Sequence, residues 1–149
     1  MKIYPLEAGN FKLDGGAMFG VVPKSLWQKT NPSDSNNMID MASTCMLIED
    51  KNKLVLIDSG MGNKKSEKFF SYYFKWGGYD LVSSINAVGF SCDEITDGLF
   101  THLHFDHCGG GIVWDVKKSF YKPLFKNANY WSSQNHWDWA TKNPNPREK

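Results

Sequence analysis

The sequence predicts a mixed α/β domain, one sheet flanked by helices. Two observations carry this. Apolar runs of strand length recur at KIYPLEA, STCMLIED and KLVLIDSG, each bounded by turn-forming residues. Helical signatures follow: Asp80 stands where it can cap LVSSINAVG, and Phe69, Phe70, Tyr73 and Phe74 cluster within residues 64–74. Strands mixed with helices over 149 residues suit one layered domain.

The elements are expected in this order. KIYPLEA and NFKLD flank Gly9-Asn10 and read as a hairpin, with AMFGVV continuing the strand-rich N-terminal third. The polar segment Lys24 to Asn37 reads as a loop. STCMLIED and KLVLIDSG form a buried hairpin around Lys51-Asn52, and its second arm ends at Asp58. Lys64 to Phe74 is a helix, and a second runs from Leu81 until Gly89 ends it. GLFTH is a short buried strand, residues 127–132 another, and Ser133 to Ala140 a short helix. There is no internal repeat and no second domain.

Composition excludes several classes. Net charge is +1, from 17 basic and 16 acidic residues, so neither nucleic acid nor an anionic membrane is an expected partner. No run approaches the roughly 20 apolar residues that span a bilayer. The N-terminus does not read as a signal peptide, and Cys45, Cys92 and Cys108 match no disulfide framework. The cytoplasm is the expected location. Aromatic residues make up 15% of the chain, enough for a sizeable core.

The chemistry concentrates in THLHFDHCGG, residues 101–110. Three of the four histidines lie here, in the pattern H-x-H-x-D-H. Imidazole and carboxylate are zinc ligands. A strand points alternate side chains the same way, so His102 and His104 can share a side as GLFTH ends. The turn after it can bring Asp106 and His107 to a neighbouring position. One segment thus offers two ligands to each of two metals, an arrangement suited to clamping a reacting oxygen. Neither the helical H-E-x-x-H pattern nor zinc-finger cysteine pairs are present.

THLHFDHCGG resembles the signature of the metallo-β-lactamase superfamily. LVLIDSG resembles the family's strand that ends in an Asp before glycine. FKLDGGAMFGVVPKSLW resembles the opening of the branch holding quorum-signal lactonases and organophosphate-hydrolase-like enzymes. The resemblance implies that His102 and His104 hold the first metal, and Asp106 and His107 the second. Asp58 then supports the ligands without binding metal. Position 104 is His, where the di-iron branch carries Glu, which favours zinc, two ions per complete site; iron and manganese stay open. The implied function is hydrolysis of a lactone, ester or phosphotriester by a hydroxide held between the zinc ions, with Asp106 also passing a proton to the leaving group. The implied partner is a small-molecule substrate, Met18 and Phe19 are weak candidates for contacting it, and a homodimer is compatible.

The family fold is an αββα sandwich of two similar halves, and the second half supplies the remaining ligands. After His107 the chain has only His136, which reads as a surface or packing residue, and Asp115 and Asp138 do not resemble the bridging aspartate. The resemblance therefore implies that residues 1–149 are the N-terminal part of a single domain whose second half is absent, inactive alone. The competing expectation is a non-catalytic truncated remnant, or a half-domain that needs a partner chain. Cys108 is expected as a small buried residue behind the ligand turn, the glycines at 109–111 as a tight backbone turn, and Trp27, Trp131, Trp137 and Trp139 as packing residues.

Overall fold

The computed structural model describes residues 1–142 and 144. In chain order it contains β1 (Lys2–Asp14), α1 (Gly15–Phe19), α2 (Lys24–Trp27), β2 (Met38–Asp50), β3 (Lys53–Ile57), α3 (Glu67–Ser71) and α4 (Leu81–Ala87). The later elements are β4 (Asp97–Leu99), α5 (Phe105–Cys108), β5 (Ile112–Trp114), β6 (Tyr121–Pro123), β7 (Asn129–Trp131) and α6 (Gln134–Lys142). Five strands form one mixed sheet in the order β1-β2-β3-β4-β7. The first two pairings are antiparallel, whereas β3, β4 and β7 run parallel. The expected mixed sheet with flanking helices is therefore present.

Several expectations about individual elements are overturned. Residues 2–14 do not turn back at Gly9-Asn10. They form one long strand along β2, with a bulge between Glu7 and Asn10 where the register shifts. Gly9 adopts φ 121° there, a value that L residues avoid, so the glycine serves a bulge instead of a hairpin. AMFGVV is not a strand. The Asp14 side chain accepts from the Ala17 backbone N–H at 2.7 Å, which caps the short helix α1. The loop from Lys24 contains the helical turn α2, and the helix expected over residues 64–74 is limited to α3. The β5–β6 hairpin has no counterpart among the expected elements, because three-residue strands carry no measurable period.

The sheet's two faces differ. Leu6, Cys45, Leu47, Leu54 and Leu56 face a core completed by Leu81 and Ile85 of α4, with Ile95 and Phe125. Asp80 caps α4 by accepting from the Ser83 N–H at 3.0 Å, as anticipated, and Ser84 Oγ ties the helix to β1 by donating to the Glu7 carbonyl. Burial takes the Cys45 thiol up to about 12, and all three cysteines are free. On the opposite face the register aligns Met46, Ile57, Leu99 and Trp131 across four strands. Met46, Leu99 and Trp131 of that row are exposed, as is Ile3. A solvated sheet face is normally polar, so an apolar row left open marks a surface suited to being covered.

Asp97 of β4 is a buried carboxylate. Lys53 Nζ donates to it at 2.8 Å, Trp131 Nε1 at 2.9 Å and Thr96 Oγ1 at 2.8 Å. These donors, Lys53 foremost, hold its carboxyl down to about 2, against an ordinary value of 3.8. Because the folded pKa is depressed, the stabilisation is complete above the unfolded pKa and is lost as pH falls from 3.8 towards 2. Asp97→Asn should therefore lower the urea midpoint at pH 7, and the gap from the unaltered chain should close over that acidic window. A gap unchanged by acid would show that the carboxylate charge is not what matters.

Candidate metal centre

Three parallel strands end side by side, and the segments that leave them meet at one edge. Asp58 comes directly after β3, the histidine turn after β4, and α6 after β7. Backbone hydrogen bonds carry the ladder past the strand ends, from Asp58 N–H to Leu99 O at 2.9 Å and from Phe100 N–H to Trp131 O at 2.9 Å. The carboxyl ends of parallel strands are where ligands bind in open α/β sheets.

His102 and His104 lie in the irregular segment between β4 and α5, with rings 4.7 Å apart. His104 ends that segment with φ −71° and ψ 148°, and α5 begins at once. Its single turn swings His107 back so that its ring lies 3.9 Å from that of His102. The sequence-predicted ligands are thus brought together by a strand end and one helical turn. Burial, reinforced by His107 and His104, pushes His102 below the ordinary imidazole range.

Asp58 anchors the cluster. It has φ 60°, left-handed for a non-glycine residue, and such strain concentrates at functional sites. Its Oδ2 is 2.8 Å from His107 Nδ1. A carboxylate only accepts, so this nitrogen carries the proton and Nε2 keeps its lone pair outward. Asp58 also accepts from the Thr101 backbone N–H at 2.8 Å and from the Thr101 hydroxyl. Thr101 is a site residue that the sequence pattern does not flag. Its only signal there is a hydroxyl side chain directly before the first histidine.

The ligand turn is held from behind. The Ser59 backbone N–H donates to His107 O at 2.7 Å, and the Gly110 N–H donates to Gly60 O at 2.9 Å. Lys64 Nζ donates to Gly109 O, and its burial lowers the ammonium pKa. A Cβ on Gly110 would stand 2.1 Å from Ser59 O, and one on Gly109 2.3 Å from Met61 O. These glycines permit close approach of two backbone segments. The tight turn expected here is present as well, a 3-10 turn over Gly109–Gly111, made without positive φ at Gly109 or Gly110.

His136 was expected at the surface or in packing. It is half-buried, and α6 brings its ring to 6.0 Å from that of His102, while Trp139 stands 5.7 Å from the His104 ring. Together with Asn135 and His104 they line a cleft of about 300 Å³. A larger cleft of about 590 Å³ is lined by Leu103, Cys108, Ile112, Trp131 and Trp137, among others. Neither cleft is lined by Met18 or Phe19. Phe19 stacks on buried Trp27 at 5.0 Å, and Met18 is exposed. Trp131, Trp137 and Trp139 are exposed, contrary to a packing role. Cys108 is half-buried, and desolvation raises its pKa.

The donors can be tested against a metal. His107 Nε2 and Asp106 Oδ2 are 3.5 Å apart, close to the roughly 3.4 Å between two ligand atoms about 2.1 Å from a tetrahedral ion. With His107 Nδ1 engaged by Asp58, this pair suits one ion. Among the described residues, no group of three or more His, Cys, Asp or Glu side chains able to hold a metal is assembled. The residues fit zinc as pairs of donors, not as a closed cage. Also among the described residues, no helix is long and apolar enough to cross a membrane.

Known proteins resemble this chain. The family model described as the metallo-beta-lactamase superfamily matches residues 38–146. An N-acyl homoserine lactonase of Bacillus cereus is 24% identical over 119 residues, 73% of this chain and 43% of the relative. One of Bacillus thuringiensis is 22% identical over 144 residues, 87% of this chain and 53% of the relative. The chain thus spans about half the length of the curated relatives it matches. Among solved structures, one described as a "probable metal-dependent hydrolase" from Staphylococcus aureus superposes with TM-score 0.88 at 34% identity, over 99% of this chain and 52% of that one. AidC, a dizinc quorum-quenching lactonase in complex with a product, superposes with TM-score 0.63 at 25% identity, over 96% and 45%. With a family model matched over most of its length and the H-x-H-x-D-H turn at the end of its parallel strands, the chain belongs to the metallo-β-lactamase superfamily.

Proposed function

We propose that this chain supplies half of the metal-binding machinery of a zinc-dependent hydrolase acting on a small lactone, ester or phosphotriester, located in the cytoplasm. The carrying observation is the pairing of His107 with both Asp58 and Asp106, at 2.8 and 3.5 Å. His102 and His104 would hold one ion, and Asp106 and His107 the other. Zinc, when bound, supplies Lewis acidity and ionises water near neutral pH. Asp58 would orient the imidazoles, and Asp106, on the ligand turn itself, would take up the proton that the attacking water gives up and pass it to the leaving group. The lactonase relatives support the lactone among the three substrate types.

The open row Met46, Leu99 and Trp131 supports a further part of this reading: the face is covered by the domain's second half, which carries the remaining ligands. Residues 1–149 alone are then inactive. A second reading, a half-domain completed by another chain, is supported by the same face. The intact mass of the product of the native gene separates them, since 17.0 kDa would favour the second.

Asp106→Asn in that native product tests the chemistry. The expected result is at least a roughly hundredfold lower kcat for lactone and phosphotriester substrates, with zinc content measured alongside. Full zinc loading with an unchanged rate would remove the proton-transfer role.

A further inference from the structure

We propose that Thr101 is a positioning residue: its hydroxyl links the Asp58 carboxylate to His102, so that one carboxylate sets the tautomer of two imidazoles. The inference rests on the hydrolase reading above and names a residue that the ligand pattern does not contain. Thr101 Oγ1 lies 2.8 Å from Asp58 Oδ2 and 3.1 Å from Oδ1. The same oxygen lies 3.1 Å from His102 Nδ1. A hydroxyl has one proton to give and lone pairs to receive. Asp58 takes that proton, since a carboxylate has none to offer. The Thr101 oxygen then faces His102 Nδ1 as an acceptor, and this nitrogen must carry the ring's hydrogen. His102 is left with its lone pair on Nε2.

His107 reaches the same state by a shorter route, because its Nδ1 donates directly to Asp58 Oδ2 at 2.8 Å. The two rings lie 3.9 Å apart, too close to leave their orientation to chance. Asp58 is held for this task on both sides. Its backbone N–H donates to Leu99 O, and the Thr101 backbone N–H donates to its Oδ1 at 2.8 Å. Among the described residues, the Thr101 hydroxyl is the group that stands between the carboxylate and His102. Without it, His102 samples both tautomers, and only one of them presents Nε2 as a ligand.

The test is a two-bond proton–nitrogen correlation spectrum of the metal-free 149-residue chain at about pH 8.5, above the ordinary imidazole range. It is recorded for the unaltered chain, Thr101→Val and Thr101→Ser. The expected result is an Nδ1–H form for both His102 and His107 in the unaltered chain. Valine should release His102 alone into a mixture, and serine should restore it. Zinc affinity should fall about tenfold or more for the valine variant and recover with serine. An Nε2–H form of His102 in the unaltered chain, or a His102 spectrum untouched by valine, would overturn the proposal. If the product of the native gene binds no zinc while the tautomers of the 149-residue chain behave as expected, the hydrolase reading fails and the linkage stands, because the spectra need no metal.

Discussion

Gly110→Ala is expected to lower the stability of the chain by about 3 kcal/mol, at the upper end of what overpacking costs. The new methyl would sit 2.1 Å from the Ser59 carbonyl oxygen, and neither partner can retreat easily. Gly110 is tied by its own N–H to Gly60 O, and Ser59 by its N–H to His107 O. Yielding would pull His107 away from Asp58, so zinc affinity should fall with stability. The measurement is the urea midpoint, with the slope m unchanged. Gly78→Ala is the control: nothing lies within 4 Å of its added Cβ, and its midpoint should stay put or rise slightly. A Gly110→Ala midpoint equal to that of the control would show that the two segments slide apart at little cost.

His107→Ala is expected to abolish zinc binding at the Asp106–His107 pair of the 149-residue chain, where the unaltered affinity should itself be weak. The argument is one of ligand number. Structural zinc sites use four protein ligands, and catalytic sites three and a water. The described residues offer donors in pairs and assemble no group of three. Removing His107 leaves Asp106 without the partner 3.5 Å away. It also leaves the Asp58 carboxylate facing a void. Titration against a competing chelator reads both values. Tight stoichiometric binding by the unaltered chain would mean that the donors are complete within it, with His136 the first residue to test. Binding indifferent to His107→Ala would place the zinc elsewhere.

Legibility in the sequence tracked the range of the interaction. The buried hairpin β2–β3 was readable because its alternate residues, Leu54 and Leu56 on one arm and Cys45 and Leu47 on the other, are buried with period two. The Asp80 cap was readable because capping is local. Residues 2–14 misled because Gly9-Asn10 is an ordinary turn signal, and only the pairing of both segments with β2 makes it a bulge. AMFGVV misled because its apolar composition outweighed the cap from Asp14.

The same division holds at the site. His102, His104, Asp106 and His107 stood out as candidate ligands from spacing alone, since three histidines and an aspartate in six residues have few other uses. Asp58 came from resemblance and proved to be hydrogen-bonded to His107. Thr101 was invisible, and His136, read as a surface or packing residue, gave no sign of its nearness to His102. Thr101 matters through an oxygen 2.8 Å from a residue 43 positions earlier, and His136 arrives only because β7 runs parallel beside β4.

The sequence by itself determined the donors, the strand they extend, and the family, because ligand type and strand period are carried by residues close together in the chain. The tertiary structure decided which imidazole nitrogen each donor turns outward, why Gly110 must lack a side chain, and that one apolar sheet face lies open. Those depend on strands meeting across the sheet, where distances between residues far apart in the chain are set by register and not by sequence spacing.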